Sequence, residues 1–113
     1  MRQASIILPM ARREATIQLQ GDLLDQFGGF TKSAVTGQWH DPADGKIYTD
    51  VSHRFDVAVE PTAVNLDKLR QIARRAGQAA DQVCVYLATP SGEIEFIQCK
   101  DVVTPADAAR VAA

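Results

Sequence analysis

An α+β fold is what this sequence predicts, on three observations. Short apolar or alternating runs take turns with two stretches whose apolar residues recur every three or four positions. Clusters of glycine, proline and aspartate separate most of these segments. The resulting order is β-α-β-β-α-β, followed by one added strand and a short C-terminal helix, in 113 residues. That length suits a single domain, 1–113, able to bury its own core without a disulfide or metal staple.

Taken in order, Ser5-Ile6-Ile7-Leu8 is a continuous apolar run of the kind found in strands covered on both faces. Pro9 has no N–H to give to a ladder and ends the strand. From Ala11 to Phe27 the residues Ala15, Leu19, Leu23 and Phe27 share a helical stripe with Leu24 beside it, while Ile17 lies off it. Gly28-Gly29 supplies a left-handed stop. Phe30 to His40 reads as a strand weakened by Gly37, and Asp41-Pro42-Ala43-Asp44-Gly45 as a hairpin turn. Lys46 to Glu60 is the clearest strand: Val51, His53, Phe55, Val57 and Val59 share one face, and Ser52, Arg54, Asp56 and Glu60 the other.

Pro61-Thr62 opens the second helix, with Thr62 or Asn65 as N-cap. Its stripe is Leu66, Leu69, Ile72, Ala73 and Ala76, and Gly77 is the expected stop. Gln82 to Thr89 and Glu93 to Cys99 are strands joined at Pro90-Ser91-Gly92. Thr104-Pro105 opens a short alanine-rich helix.

The first six elements match the ferredoxin-like, split βαβ arrangement, in which both helices cover one face of an antiparallel sheet. The second face then lacks a helix of its own unless the C-terminal one reaches it. Several strands nonetheless carry apolar residues on both parities: Val83, Val85 and Leu87 against Tyr86 and Ala88, and Ile94 and Phe96 against Ile97 and Cys99. Such a face calls for a ligand or a partner, and a second copy of the chain is the simplest one.

Composition narrows the function classes. Apolar residues make up 46% and charged residues 23%, and the formal net charge is −2, which gives no electrostatic reason to expect nucleic acid or an anionic membrane. Arg70, Arg74 and Arg75 form a basic edge on the second helix, but the aromatic and basic signature of an RNA-reading sheet is missing. No stretch approaches the roughly 20 apolar residues of a membrane span. The run Ser5 to Met10 is followed at once by charged residues and reads as a strand instead of a secretory signal. A cytoplasmic protein is expected, with Cys84 and Cys99 as reduced thiols; a cross-strand disulfide between them is the alternative.

Few residues suggest chemistry. His53 is the weak candidate for catalysis, as an acid or base in a cleft over the sheet. A hydrogen-bonded core or interface histidine is the plainer reading, because Asp50 and Asp56 lie three residues away and so point oppositely on a strand. Trp39, Tyr48 and His53 are weak candidates for ligand binding. His40, Asp41 and Asp44 are explained by turn chemistry, so no metal is expected. Gly28-Gly29 follows a helix and is not a phosphate loop, and no cofactor is expected.

Phe27-Gly28-Gly29-Phe30-Thr31, then Gly37-Gln38-Trp39, then Gly45-Lys46-Ile47-Tyr48 and the strand to Val59 resemble a group of small uncharacterised bacterial and phage-type proteins. The resemblance covers about a third of the chain. It implies a ferredoxin-like fold and no activity, so it carries no functional residue onto this sequence. The functional expectation is a homodimeric interaction or small-ligand-binding module. The alternative is a small enzyme of the dimeric α+β barrel type with His53 in its cleft.

Overall fold

The structure, a computed structural model, describes residues 1–10 and 12–100; the helix expected from Thr104 lies outside them. The described residues form β1 (Arg2–Pro9), α1 (Arg13–Phe27), β2 (Thr31–His40), β3 (Ile47–Val59), α2 (Ala63–Ala79), β4 (Cys84–Ala88) and β5 (Ile94–Gln98). The strands make one antiparallel sheet in the order β2-β3-β1-β4-β5. This is the ferredoxin-like α+β fold, with β5 added at one edge.

The alternation of β1, β3 and β4 sends Ala4, Ile6, Leu8, Phe55, Val57, Val85 and Leu87 to the helix side, where all are buried. They meet Ala15, Leu19 and Leu23 of α1 and Leu69, Ile72, Ala73 and Ala76 of α2 in one continuous core. Phe30 packs edge-on to Phe55, with ring centroids 5.7 Å apart.

Helix ends follow local chemistry with one correction. Gly28 closes α1 in the left-handed region, at φ 82°. The Thr62 side chain accepts a hydrogen bond from the Asn65 N–H at 3.2 Å, which makes Thr62 the N-cap of α2. Gly77 does not stop α2, which continues to Ala79. Asp81 takes the left-handed conformation instead, at φ 54°. The Asp81 N–H reaches the Gln78 carbonyl and the Gln82 N–H the Gly77 carbonyl, the paired bonds of a Schellman ending. Gly77 is needed for a different reason: a Cβ there would lie 2.1 Å from Cys99 Sγ and 2.7 Å from Val85 Cγ2. The sequence offered a glycine near a helix end, and close packing, not backbone freedom, is what the position requires.

The basic edge of α2 is engaged within the chain. Arg75 pairs with Asp22 at 3.3 Å, and Arg74 Nε donates to the Gln98 carbonyl at 3.4 Å. Arg70 forks onto Glu95 of β5, with both N–O distances 2.8 Å. That hydrogen bond holds the Glu95 carboxyl below its ordinary value and raises the Arg70 guanidinium. A lowered carboxylate contributes stability that is complete above the unfolded-state value and fades as pH falls through the folded one. Glu95→Gln should therefore flatten the acid limb of the stability curve by lowering stability near neutral pH while leaving it unchanged in strong acid, as read from urea midpoints across an acid series. The effect is small, because the pair is partly solvated.

Cys84 and Cys99 form no disulfide and lie on opposite sides of the sheet. Cys99 is buried beneath α2, and burial pushes its thiol up to about 11. The alternation of strand side chains thus excludes the disulfide alternative for this arrangement.

β3 is longer than its neighbour allows. β1 pairs with Ser52 to Val59 and the Met10 N–H reaches the Val51 carbonyl at 3.3 Å, so among the described residues Ile47 to Asp50 pair with β2 alone. The distal hairpin stands beyond the body as a two-stranded arm. Its turn is organised by Asp41, whose Oδ1 accepts the Ala43 N–H and whose carbonyl accepts the Gly45 N–H, both at 2.8 Å. The Tyr48 hydroxyl donates to Asp44, which lowers the Asp44 carboxyl and raises the Tyr48 phenol.

Candidate ligand site on the bare face of the sheet

The face turned away from α1 and α2, bare among the described residues, is set by register. Ser33, Arg54, Ile7, Tyr86 and Phe96 form one row across all five strands. One row over, Val35, Ser52 and Pro9 align, and beyond them Gly37 opposes Asp50 and Trp39 opposes Tyr48. Side chains of these rows line a groove of about 570 Å³ between the arm and the β4–β5 hairpin. That volume lies within the range of small-molecule sites.

Aromatic groups form both walls. On the arm side Trp39 stacks on Tyr48, with centroids 4.8 Å apart and planes 19° from parallel. Trp39 Nε1 donates to Asp50 Oδ2 at 3.1 Å, which fixes the indole over the groove. On the far side Tyr86 and Phe96 meet edge to face at 6.0 Å. Ile7, Pro9 and Ser52 lie between them. Charge is supplied by Asp50 and by Arg54, whose Nε is 3.3 Å from Asp56 Oδ1. Asp56 is further held by the Ser5 hydroxyl at 2.5 Å. The groove can therefore stack a flat ring, receive a carboxylate at Arg54 and face a cation with Asp50.

The candidate residues separate. Trp39 and Tyr48 stand together on this face. His53 is on the helix side, between Leu8 and Ala34 in register, 6.2 Å edge-on from the Phe55 ring. It shares no cleft with Trp39. Asp50, Arg54, Tyr86 and Phe96 were not singled out from the sequence. Reading the register back from the turn would have found the first two, because a Trp39–Tyr48 pair places Asp50 and Arg54 on the Trp39 side.

Two solved structures share this fold. One is a phage SAM lyase in its apo state, with a TM-score of 0.68 and 11% identity, covering 89% of this chain and 91% of that one. The other is a phage SAM lyase in complex with S-methyl-5'-thioadenosine, with a TM-score of 0.65 and 13% identity, covering 85% and 88%. At such identities the likeness is one of fold. No family model and no curated protein matches the chain. Among the described residues no helix is long and apolar enough to cross a membrane. Nor do three His, Cys, Asp or Glu side chains among them gather to hold a metal ion.

Proposed function

We propose that the bare-face groove binds an adenosyl thioether or sulfonium, and that the chain is a small enzyme that cleaves the sulfonium. The observation that carries this reading is the pairing of Trp39 with Asp50 across from Tyr86 and Phe96, an aromatic cleft with a carboxylate in one wall. An adenine ring stacks on the indole. A sulfonium is drawn by Asp50 and by the aromatic faces, which attract cations through their quadrupoles. An amino-acid carboxylate of the same ligand meets the Arg54 guanidinium. The phage SAM lyases of the same fold support the choice of ligand class, since one of them holds S-methyl-5'-thioadenosine.

The chemistry asks little of acid–base groups. A sulfonium departs as a neutral thioether, the C–S electron pair passing to sulfur as an oxygen of the substrate's own carboxylate bonds to the carbon it leaves, so no proton need be delivered to the leaving group. The groove's contribution is to hold the chain of the substrate in a reactive conformation and to exclude water. His53 on the far face has no part in it. A cytoplasmic setting belongs to the same reading, since two cysteines that form no disulfide suit a reducing compartment.

Calorimetric titration with S-methyl-5'-thioadenosine and with S-adenosylmethionine tests the proposal, together with an assay for released thioether. Wild type should bind both saturably. Trp39→Ala should weaken binding roughly 5- to 100-fold, the usual loss when a stacked base loses its aromatic platform. Absence of saturable binding at millimolar ligand, or an unchanged affinity in the variant, would overturn it.

The arm favours self-association as well. Ile47 and Val51 are 68% and 54% exposed on a ribbon that no third strand joins among the described residues. Isolated two-stranded ribbons are marginal in water, so a second copy that covers these residues completes the sheet's exposed end. Light scattering should give a dimer for wild type and a smaller mass for an Ile47→Lys, Val51→Lys variant.

A further inference from the structure

We infer that the hollow between α1 and the root of the β2–β3 hairpin, on the helix-covered face, is a second site, for a small phosphate-type oxyanion. It is separate from the bare-face groove and has a volume of about 350 Å³. One stripe of α1 lines it with Arg13, Thr16 and Gln20, spaced about one turn apart. Lys32 of β2 and His53 of β3 line the opposite side, and the exposed Ile17 completes the helix wall.

Three features of these residues point to an anion. No carboxylate lines the hollow, although two cationic side chains do. Among the described residues Arg13 makes no ion pair, and Lys32 has only the neutral Gln20 Oε1, at 3.1 Å. Elsewhere on the molecule Arg12, Arg54, Arg70, Arg75 and Lys100 each have an acidic partner; of the described cations that have none, Arg13 and Lys32 are the two that line this hollow. The His53 ring is also under-satisfied: its Nδ1 is buried with no hydrogen-bond partner. A buried polar atom of that kind usually has a ligand, water or proton-transfer role to account for it.

The helix adds to the field. The hollow lies along the N-terminal half of α1, whose N-cap Arg12 makes no side-chain hydrogen bond to the first turn. The first-turn N–H groups add a positive potential that favours an anion nearby, offset in part by the Glu14 carboxylate in the same turn. A tetrahedral oxyanion uses this set fully. It accepts from the Arg13 fork, from the Lys32 ammonium and from the Thr16 hydroxyl, and it neutralises a charge the fold leaves uncompensated. The same arrangement explains Ile17, which misses the core stripe because its helix face is turned to the hollow.

Amide chemical shifts followed by NMR during titration with inorganic phosphate, at constant ionic strength, test the inference. A parallel titration with adenosine monophosphate separates free phosphate from a phosphomonoester. Saturable shifts centred on residues 13–17, 32 and 53 with either ligand are expected. Arg13→Gln and Lys32→Gln should each weaken that binding about tenfold, the loss of one charge-assisted contact. Both positions are exposed or at the rim, so the variants should keep the wild-type melting temperature. Shifts that rise linearly without saturation, or that survive both substitutions, would show screening alone and remove the site. The bare-face reading is tested apart from this one. S-methyl-5'-thioadenosine carries no phosphate, so its binding should be untouched by Arg13→Gln, and Trp39→Ala should leave phosphate binding intact.

Discussion

Gly77→Ala should destabilise the protein by about 2 kcal/mol, although alanine is the better helix former by about 1 kcal/mol. The added methyl has no room. Its carbon would sit 2.1 Å from Cys99 Sγ, 3.1 Å from Cys99 Cβ and 2.7 Å from Val85 Cγ2. Cys99 and Val85 are both buried under α2, so neither can swing into solvent to make way. The helix must lift from β4 and β5, which loosens the packing of Ala73 and Ala76 beside it. For a domain of this size the expected fall in Tm is roughly 10 °C. Urea unfolding of Gly77→Ala, Cys99→Ala and the double variant locates the cause. The double variant should recover part of the loss, because it removes the sulfur but not the valine methyl. An additive double variant would place the cost elsewhere than in this contact.

Phe55→Ala and Phe96→Ala should give opposite profiles, although both residues are phenylalanines in the same sheet. Phe55 is 0% exposed and faces the helices, touching Phe30 edge-on. Its truncation leaves a cavity in a core that cannot collapse around it, at a cost of about 3–5 kcal/mol. That is a large share of the 5–15 kcal/mol that holds a typical domain together. Phe96 is 41% exposed on the bare face, with Tyr86 as its ring neighbour. Its truncation should change stability by less than about 1 kcal/mol. The proposed ligand should feel the reverse, with Phe96→Ala weakening thioether binding. Denaturation curves and titrations on the two purified variants give the comparison. A Phe96→Ala protein that is as unstable as Phe55→Ala would mean the bare face is buried against a partner and serves as core.

The fold was legible because the signals that specify it are local. The stripe Ala15, Leu19, Leu23 and the alternation Phe55, Val57, Val59 are periodicities, and the core consists of these residues. Thr62 and Gly28 act at the helix ends where cap chemistry places them. Gly77 misled because a glycine before a polar loop looks the same whether it supplies left-handed backbone or the absence of a side chain. Only the approach of Cys99, 22 positions along, distinguishes the two. The groove was half legible for a similar reason. Trp39 and Tyr48 stand out by type, but Tyr86 and Phe96 join them only through pairings to β1, and Arg54 looks like an ordinary solvent-facing charge until Ile7 and Tyr86 are placed beside it. His53 shows the limit from the other side. Its parity placed it correctly with Phe55, and that same parity takes it away from the cleft for which it was a candidate.

The arm has a mechanical consequence. Among the described residues, 47–50 are tied to the molecule through β2 alone, so this ribbon can fray and reclose without disturbing the strands that carry the core. Trp39 and Asp50 ride on that ribbon, while Tyr86 and Phe96 are anchored to the rigid half of the sheet. A guest that touches both therefore acts as a strut. It slows the ribbon's breathing, and ribbon motion in turn sets how quickly the guest is admitted and let go.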